Sequence, residues 1–131
     1  MSDRALPLLA AATALAVASA LASPAAAASS RDSCFRLSQV SSTHADGDRR
    51  IYVRVNVNDF YRLDLANRCA SLPYEGNHLV LSPTPGVDLI CHPLDLDLQV
   101  SENGARESCF IKSITRLTPA EAAAIPKKVK P

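Results

Sequence analysis

The chain has 131 residues, with 14 Lys and Arg against 13 Asp and Glu, so its formal net charge is +1 at pH 7. This balance provides neither the basic field that attracts nucleic acid nor a strongly acidic one, and we expect no nucleic-acid partner. The length allows one domain with a modest core.

Residues 1–28 have the features of a secretory signal peptide. Arg4 precedes a long stretch rich in Ala and Leu, and small residues then end in an A-x-A cleavage site. We predict cleavage after Ala28, which leaves residues 29–131 as a single domain in the periplasm or outside the cell, without a transmembrane segment. Two alternatives are cleavage before Ser23 and an uncleaved anchor, since the apolar stretch is nearly long enough to span a bilayer.

All four cysteines lie in the part predicted to be exported. An oxidising compartment favours disulfides, so we expect two bridges, but four cysteines allow three pairings and their positions do not decide among them. A zinc site is the alternative, yet the chain has no C-x-x-C or H-x-x-x-H spacing. We therefore expect no metal and no other cofactor. The cysteines are Cys34, Cys69, Cys91 and Cys109.

Alternation of apolar and polar residues predicts several short strands along the chain. The clearest segment, 50–66, predicts a β-hairpin with turn residues at Asn58-Asp59. Its first strand points Ile51, Val53, Val55 and Val57 inward and turns Tyr52, Arg54 and Asn56 to water. The other predicted strands span residues 34–40, 78–82, 87–91, 94–100 and 109–115.

The strand at 94–100 has four apolar residues on one face and Asp95, Asp97 and Gln99 on the other. Turn residues separate the strands at Asp46-Gly47-Asp48, Pro83-Thr84-Pro85-Gly86 and Glu102-Asn103-Gly104. Short strands with such turns predict a mainly β domain, either a small antiparallel sandwich or a partly open barrel.

One short C-terminal helix completes the predicted fold. Thr118 as N-cap, Pro119 at the first helical position and Glu121 reaching back form a capping box, and Pro126 ends the helix. We expect the short basic tail over residues 126–131 to be a solvated, frayed end.

Several motifs between Cys34 and Glu121 occur in a characteristic order: Cys34-Phe35-Arg36, Ile51-Tyr52-Val53 with Tyr61, Cys69 with Leu72, Ile90-Cys91 with Asp95, and Cys109-Phe110-Ile111 before Leu117-Thr118-Pro119. Together they resemble a family of small exported proteins of Gram-negative bacteria, domain of unknown function 6491. The family has no assigned activity, ligand or catalytic residues, so the resemblance implies none. It does imply that Cys69 pairs with Cys109, which leaves Cys34 with Cys91.

Asp95, Asp97 and His92 are the best candidates for chemistry. Two carboxylates two positions apart on one strand face lie about 6–7 Å apart, a spacing that suits acid/base catalysis or calcium. The alternative is a solvated face that pairs across strands with Arg54 or Arg62.

A different group, Tyr52, Arg54, Phe60 and Arg62, falls on the polar face of the hairpin. Aromatic residues flanked by arginines are typical of a recognition surface. A second sheet or the helix covering that face explains the same residues equally well.

We therefore predict a non-catalytic binding or structural module of the cell envelope, whose partner is an unknown envelope or extracellular protein or ligand. One alternative is a small hydrolase or metal-dependent enzyme that uses Asp95, Asp97 and His92. Another is an inhibitor of a secreted enzyme, which needs a rigid protruding loop, and Ser82-Pro83-Thr84-Pro85-Gly86 is the candidate.

Overall fold

The structure is a computed structural model that describes residues 33–74 and 76–131. The predicted signal peptide lies outside these residues. Within them, nine strands are followed by one α-helix, α1, at Pro119–Ala124. The strands are β1 Phe35–Arg36, β2 Val40–Ala45, β3 Arg50–Val55, β4 Asp59–Leu65, β5 His78–Pro83, β6 Leu89–Ile90, β7 Leu96–Glu102, β8 Ala105–Cys109 and β9 Ile111–Arg116.

Across the described residues the strands form three antiparallel sheets, in the orders β2-β3-β4-β9, β5-β7-β8 and β1-β6. The chain passes from β8 to β9 through the single residue Phe110, so the two larger sheets are joined at that side. At the other side of the described structure, β2 and β5 are the edge strands. The predicted mainly β, antiparallel fold with one short C-terminal helix and two disulfides is confirmed.

The β3–β4 hairpin forms where the sequence predicts it, and its register pairs Ile51 with Leu63 and Val53 with Tyr61. These side chains are buried in the core between the two larger sheets. Val57 is an error of the prediction, since its side chain is 65% exposed. The strand ends at Val55, and the turn begins early because the next residue, an asparagine, adopts a positive φ of 52°.

The predicted strand at 94–100 begins two residues late. Pro93–Asp95 form a 3-10 turn, and β7 starts only at Leu96. Pro93 has no backbone N–H to donate to a neighbouring strand, and the Asp95 carboxylate accepts the N–H of Cys91 and of His92, which closes the turn. Leu94, predicted to point inward, is therefore 90% exposed.

Two other predicted strands are divided. The segment 34–40 contains β1, a 3-10 turn at Leu37–Gln39 and the start of β2. The segment 109–115 breaks at Phe110, where the chain leaves one sheet for the other.

The main core lies between the two larger sheets and includes one disulfide. Cys69 is joined to Cys109 within this core, and Cys34 is joined to Cys91 beside the β1–β6 pair. These are the pairs that the family resemblance implies. The core consists of Phe35, Ile51, Val53, Val55, Tyr61, Leu63, Leu65, Cys69, Leu72, Ile90, Leu96, Leu98, Val100 and Cys109.

The C-terminal segment covers part of the outer face of the β2-β3-β4-β9 sheet. The predicted capping box is present, with the Glu121 N–H donating to the Thr118 hydroxyl and the Thr118 N–H donating to the Glu121 carboxylate. The prediction of a frayed tail is wrong. Val129 is only 8% exposed, and Lys127–Val129 form a 3-10 turn. This small second core contains Tyr52, Leu117, Ala122, Ile125 and Val129.

Candidate functional site

The structure places two of the three candidate catalytic residues in one turn and the third on the strand that follows. His92 and Asp95 belong to the 3-10 turn before β7, and Asp97 lies on β7 itself. The Asp95 carboxylate accepts the Cys91 N–H at 2.9 Å and the His92 N–H at 2.8 Å. These backbone bonds hold the pKa of Asp95 below its usual value, so the group is an anion that closes a turn.

Asp97 has a different environment. It accepts a hydrogen bond from Gln99 Nε2 at 2.9 Å and lies opposite Ser82 on the neighbouring strand. The expected cross-strand pairing with an arginine is wrong. Arg54 donates to a backbone carbonyl in its own hairpin turn, and Arg62 donates to Asp64 at 2.9 Å.

The described residues contain one group of three side chains close enough to share a metal ion, namely Cys69, Glu107 and Cys109. The two cysteines are joined to each other, so neither offers a thiolate. The Glu107 carboxylate accepts the N–H of Ala70 and the N–H of Ser71. These backbone bonds, together with the Ser71 hydroxyl, lower the pKa of Glu107, and the group holds the loop after β4 rather than a metal ion.

The aromatic and arginine face of the hairpin is partly covered. Tyr52 is 8% exposed because the C-terminal segment packs on it. Phe60 packs against the same cluster, with the Arg54 guanidinium carbon 5.9 Å and Lys130 Nζ 5.4 Å from its ring centroid. These residues were explained either as a recognition surface or as a covered face. For Tyr52, packing of the C-terminal segment on the sheet supports the second explanation.

The loop Ser82–Gly86 is hydrogen-bonded to the turn that contains Leu94. The Thr84 N–H donates to the Asp95 carbonyl at 2.9 Å, and the Thr84 hydroxyl donates to the Leu94 carbonyl at 2.8 Å. Pro83, Thr84 and Pro85 are exposed beside Leu94. We refer to Pro83, Thr84, Pro85 and Leu94 as the Leu94 surface.

The backbone under the Leu94 surface is held from both sides. Asp95 closes the turn through the bonds described above, and its own N–H donates to the His92 carbonyl at 3.0 Å. Cys91, which directly precedes His92, is joined to Cys34 by a disulfide. An apolar side chain that is almost fully exposed therefore rests on a backbone with little freedom to move.

The sequence predicted the Ser82–Gly86 loop but not the exposure of Leu94, because the alternating pattern placed Leu94 inside a strand. Pro93 was the available signal, since a proline favours a turn or the first residue of a strand over a strand interior.

In the described part of the chain, no helix has the length and apolar character needed to cross a membrane. No curated protein and no solved structure matches the chain. A family model does match, over residues 3–130. The chain therefore belongs to the Family of unknown function (DUF6491).

Proposed function

We propose that this chain is an exported, non-catalytic binding module that contacts a protein partner through the Leu94 surface. One observation carries the proposal: the Leu94 side chain is 90% exposed on a backbone fixed by hydrogen bonds and a nearby disulfide. A single exposed leucine is ordinary, but one on a fixed backbone loses little conformational freedom when a partner's apolar pocket buries it.

The energy available from such an anchor is substantial. Burying a leucine side chain contributes about 1.5–3 kcal/mol of binding free energy. Ordering a mobile loop would cancel part of this gain, whereas here Thr84 and Asp95 already hold the turn in the folded protein. The surface needs little reorganisation to bind.

Export is supported by the N-terminal sequence and by the cysteines. Residues 1–28 carry the signal-peptide pattern, and both disulfides suit an oxidising compartment. We therefore place the mature domain in the periplasm or outside the cell.

An enzyme inhibitor is the second candidate, because Thr84 fixes the Ser82–Gly86 loop and its exposed prolines lie in the same surface. It belongs to the same class of protein and differs only in that the partner is an enzyme. The catalytic alternative has less support, since the Asp95 carboxylate is used by two backbone N–H bonds and Asp97 accepts from Gln99. Within the described residues, the three candidate side chains are also not close enough together to share a metal ion.

The test compares two exposed apolar positions. Purified wild-type domain, Leu94→Asp and Val57→Asp are immobilised at equal density and exposed to envelope extract, and bound proteins are quantified by mass spectrometry. Val57 is the matched control because it is 65% exposed and lies in the β3–β4 turn, far from Leu94 in the sequence. We expect a partner that is retained by wild type and Val57→Asp and lost by Leu94→Asp, with equal melting midpoints. Equal retention by all three proteins would contradict the proposal.

A further inference from the structure

A second surface, which shares no residue with the Leu94 surface, is a groove of about 570 Å³ beside the edge strand β2. Its floor is apolar and includes Leu72, Leu79 and Val100, while His44 and Lys128 lie at its rim. The volume is in the usual range for ligand sites. We call it the β2 groove.

The backbone of β2 exposes hydrogen-bonding groups toward this groove. The Asp46 N–H donates to the Arg50 carbonyl at 2.8 Å, which makes that pair a hydrogen-bonded one. Antiparallel pairs alternate, so His44–Tyr52 is also hydrogen-bonded, whereas the pairs of Thr43 and of Ala45 with β3 are not. The N–H and C=O groups of Thr43 and Ala45 therefore point away from β3.

These groups form an open strand edge. In the described residues β2 pairs only with β3, and both Thr43 and Ala45 line the groove. An unpaired edge of this kind is the template to which an extended peptide adds as a further strand. The edge gives affinity through the main chain, and the groove selects the side chains.

The two faces of β2 determine which side chains fit. Thr43 and Ala45 share the core face with Val53 and Ile51, so a strand added beside them places alternate residues over the apolar floor. His44 shares the outer face with Tyr52, which Val129 covers. The intervening residues of the added strand therefore lie on the side of His44 and Lys128.

The charge at the rim favours an acidic ligand. Lys128 is exposed and has no ion-pair partner within the described residues. Among the described lining residues the carboxylate is that of Asp46, which already lies 3.6 Å from Arg50, a side chain that also contacts Asp64. We propose that the β2 groove binds an extended peptide segment in which apolar and acidic residues alternate, added as a strand to the edge of β2.

The first experiment tests the charge preference. The probes are the blocked peptides Val-Glu-Val-Glu-Val and Val-Lys-Val-Lys-Val, titrated against the folded domain by calorimetry. We expect the Glu peptide to bind about tenfold more tightly than the Lys peptide, since the interaction with Lys128 changes from attraction to repulsion. Lys128→Glu should reverse this preference, whereas Lys127→Glu, with the same change in net charge outside the groove, should keep it.

The second experiment tests the strand geometry without altering the protein. N-methylation of alternate amides of the Glu peptide blocks the N–H groups on one edge only. The set facing β2 should weaken binding by about threefold to tenfold for each blocked hydrogen bond, and the other set should have little effect.

Several results would overturn the proposal: no binding of either peptide, equal binding of both, or equal loss from the two methylation patterns. Sedimentation at the assay concentration tests a second copy as the occupant. A dimer that persists in excess Glu peptide would assign the edge to that copy and overturn the proposal too. Leu94→Asp should leave peptide binding unchanged, which separates this inference from the proposed function.

Discussion

Removing the Cys69–Cys109 disulfide is the most informative change to the scaffold. The bridge links the loop after β4 to the end of β8, across a sequence separation of 40. In the chain-entropy model, restricting an unfolded chain by a loop of this length stabilises the fold by about 4 kcal/mol. Small domains are typically stable by only about 5–15 kcal/mol, so the bridge supplies a large part of the margin.

The Cys34–Cys91 bridge is the natural comparison, because its separation of 57 gives nearly the same entropic contribution, about 4 kcal/mol. The two bridges differ in burial. Cys69 is 0% and Cys109 is 4% exposed, whereas Cys34 and Cys91 are half-buried. Cys69→Ala/Cys109→Ala also leaves a cavity in the core, so it should be the more destabilising pair.

Thermal unfolding followed by circular dichroism measures the difference. A loss of 4 kcal/mol corresponds to a midpoint lowered by roughly 15–30 °C for a domain of this size. Asp97→Asn serves as control, since among the described residues its exposed carboxylate is hydrogen-bonded only to Gln99, and it should shift the melting midpoint little. The reasoning is refuted if the Cys69/Cys109 variant melts within about 5 °C of wild type, or if the Cys34/Cys91 variant is the less stable of the two.

Four further predictions follow from particular contacts. The Asp95 and Glu121 carboxylates accept backbone N–H bonds that lower their pKa values, so their contribution to stability is present above about pH 4 and is lost as the pH falls through the lowered folded values. The melting midpoint should be constant from about pH 7 to pH 5 and should decrease below about pH 4. A decrease that begins at about pH 6 would contradict this. Val129→Ala should destabilise by about 1–2 kcal/mol, measured by denaturant unfolding, because it uncovers Tyr52; an unchanged midpoint would mean that the tail is not packed. Val55→Thr should cost about 1–3 kcal/mol in the same assay and Val57→Thr almost nothing, and equal costs would place both side chains in the same environment. Thiol titration of the denatured, unreduced protein should find no free thiols and metal analysis no zinc, whereas stoichiometric zinc would refute the disulfide assignment.

The elements that the sequence predicted well are those specified by local signals. The β3–β4 hairpin follows from strict alternation, and α1 begins directly after Thr118 because its capping box satisfies backbone groups within four residues. Both signals act over a few neighbouring residues, so no knowledge of the rest of the fold was needed.

The elements that were missed depend on distant parts of the chain. β2 has a polar sequence around His44 that shows no clear alternation and was not among the predicted strands, and it is a strand because β3 pairs with it. The break at Phe110 arises because the chain must change sheets there. Pairing with distant strands determines the secondary structure of such segments, whatever their own pattern of apolar and polar residues.

The candidate site was predictable only in part. The prolines of Ser82–Gly86 marked a rigid loop, but its contact with the Leu94 turn depends on hydrogen bonds between segments about ten residues apart. The burial of Tyr52 likewise depends on the tail returning to the sheet, which the lysine-rich sequence of residues 127–130 did not suggest.

Site-specific photo-cross-linking in cells tests whether the Leu94 surface binds a protein partner. A photoreactive amino acid is placed at position 94, or at position 57 as control, in the full-length chain expressed in its native host. We expect one discrete protein adduct at position 94 and none at position 57. The adduct should be found in the exported fraction, on a chain whose mass corresponds to a start near Ser29. Adducts of equal yield at both positions, no adduct at position 94, or an adduct only on chains that retain residues 1–28 would contradict it.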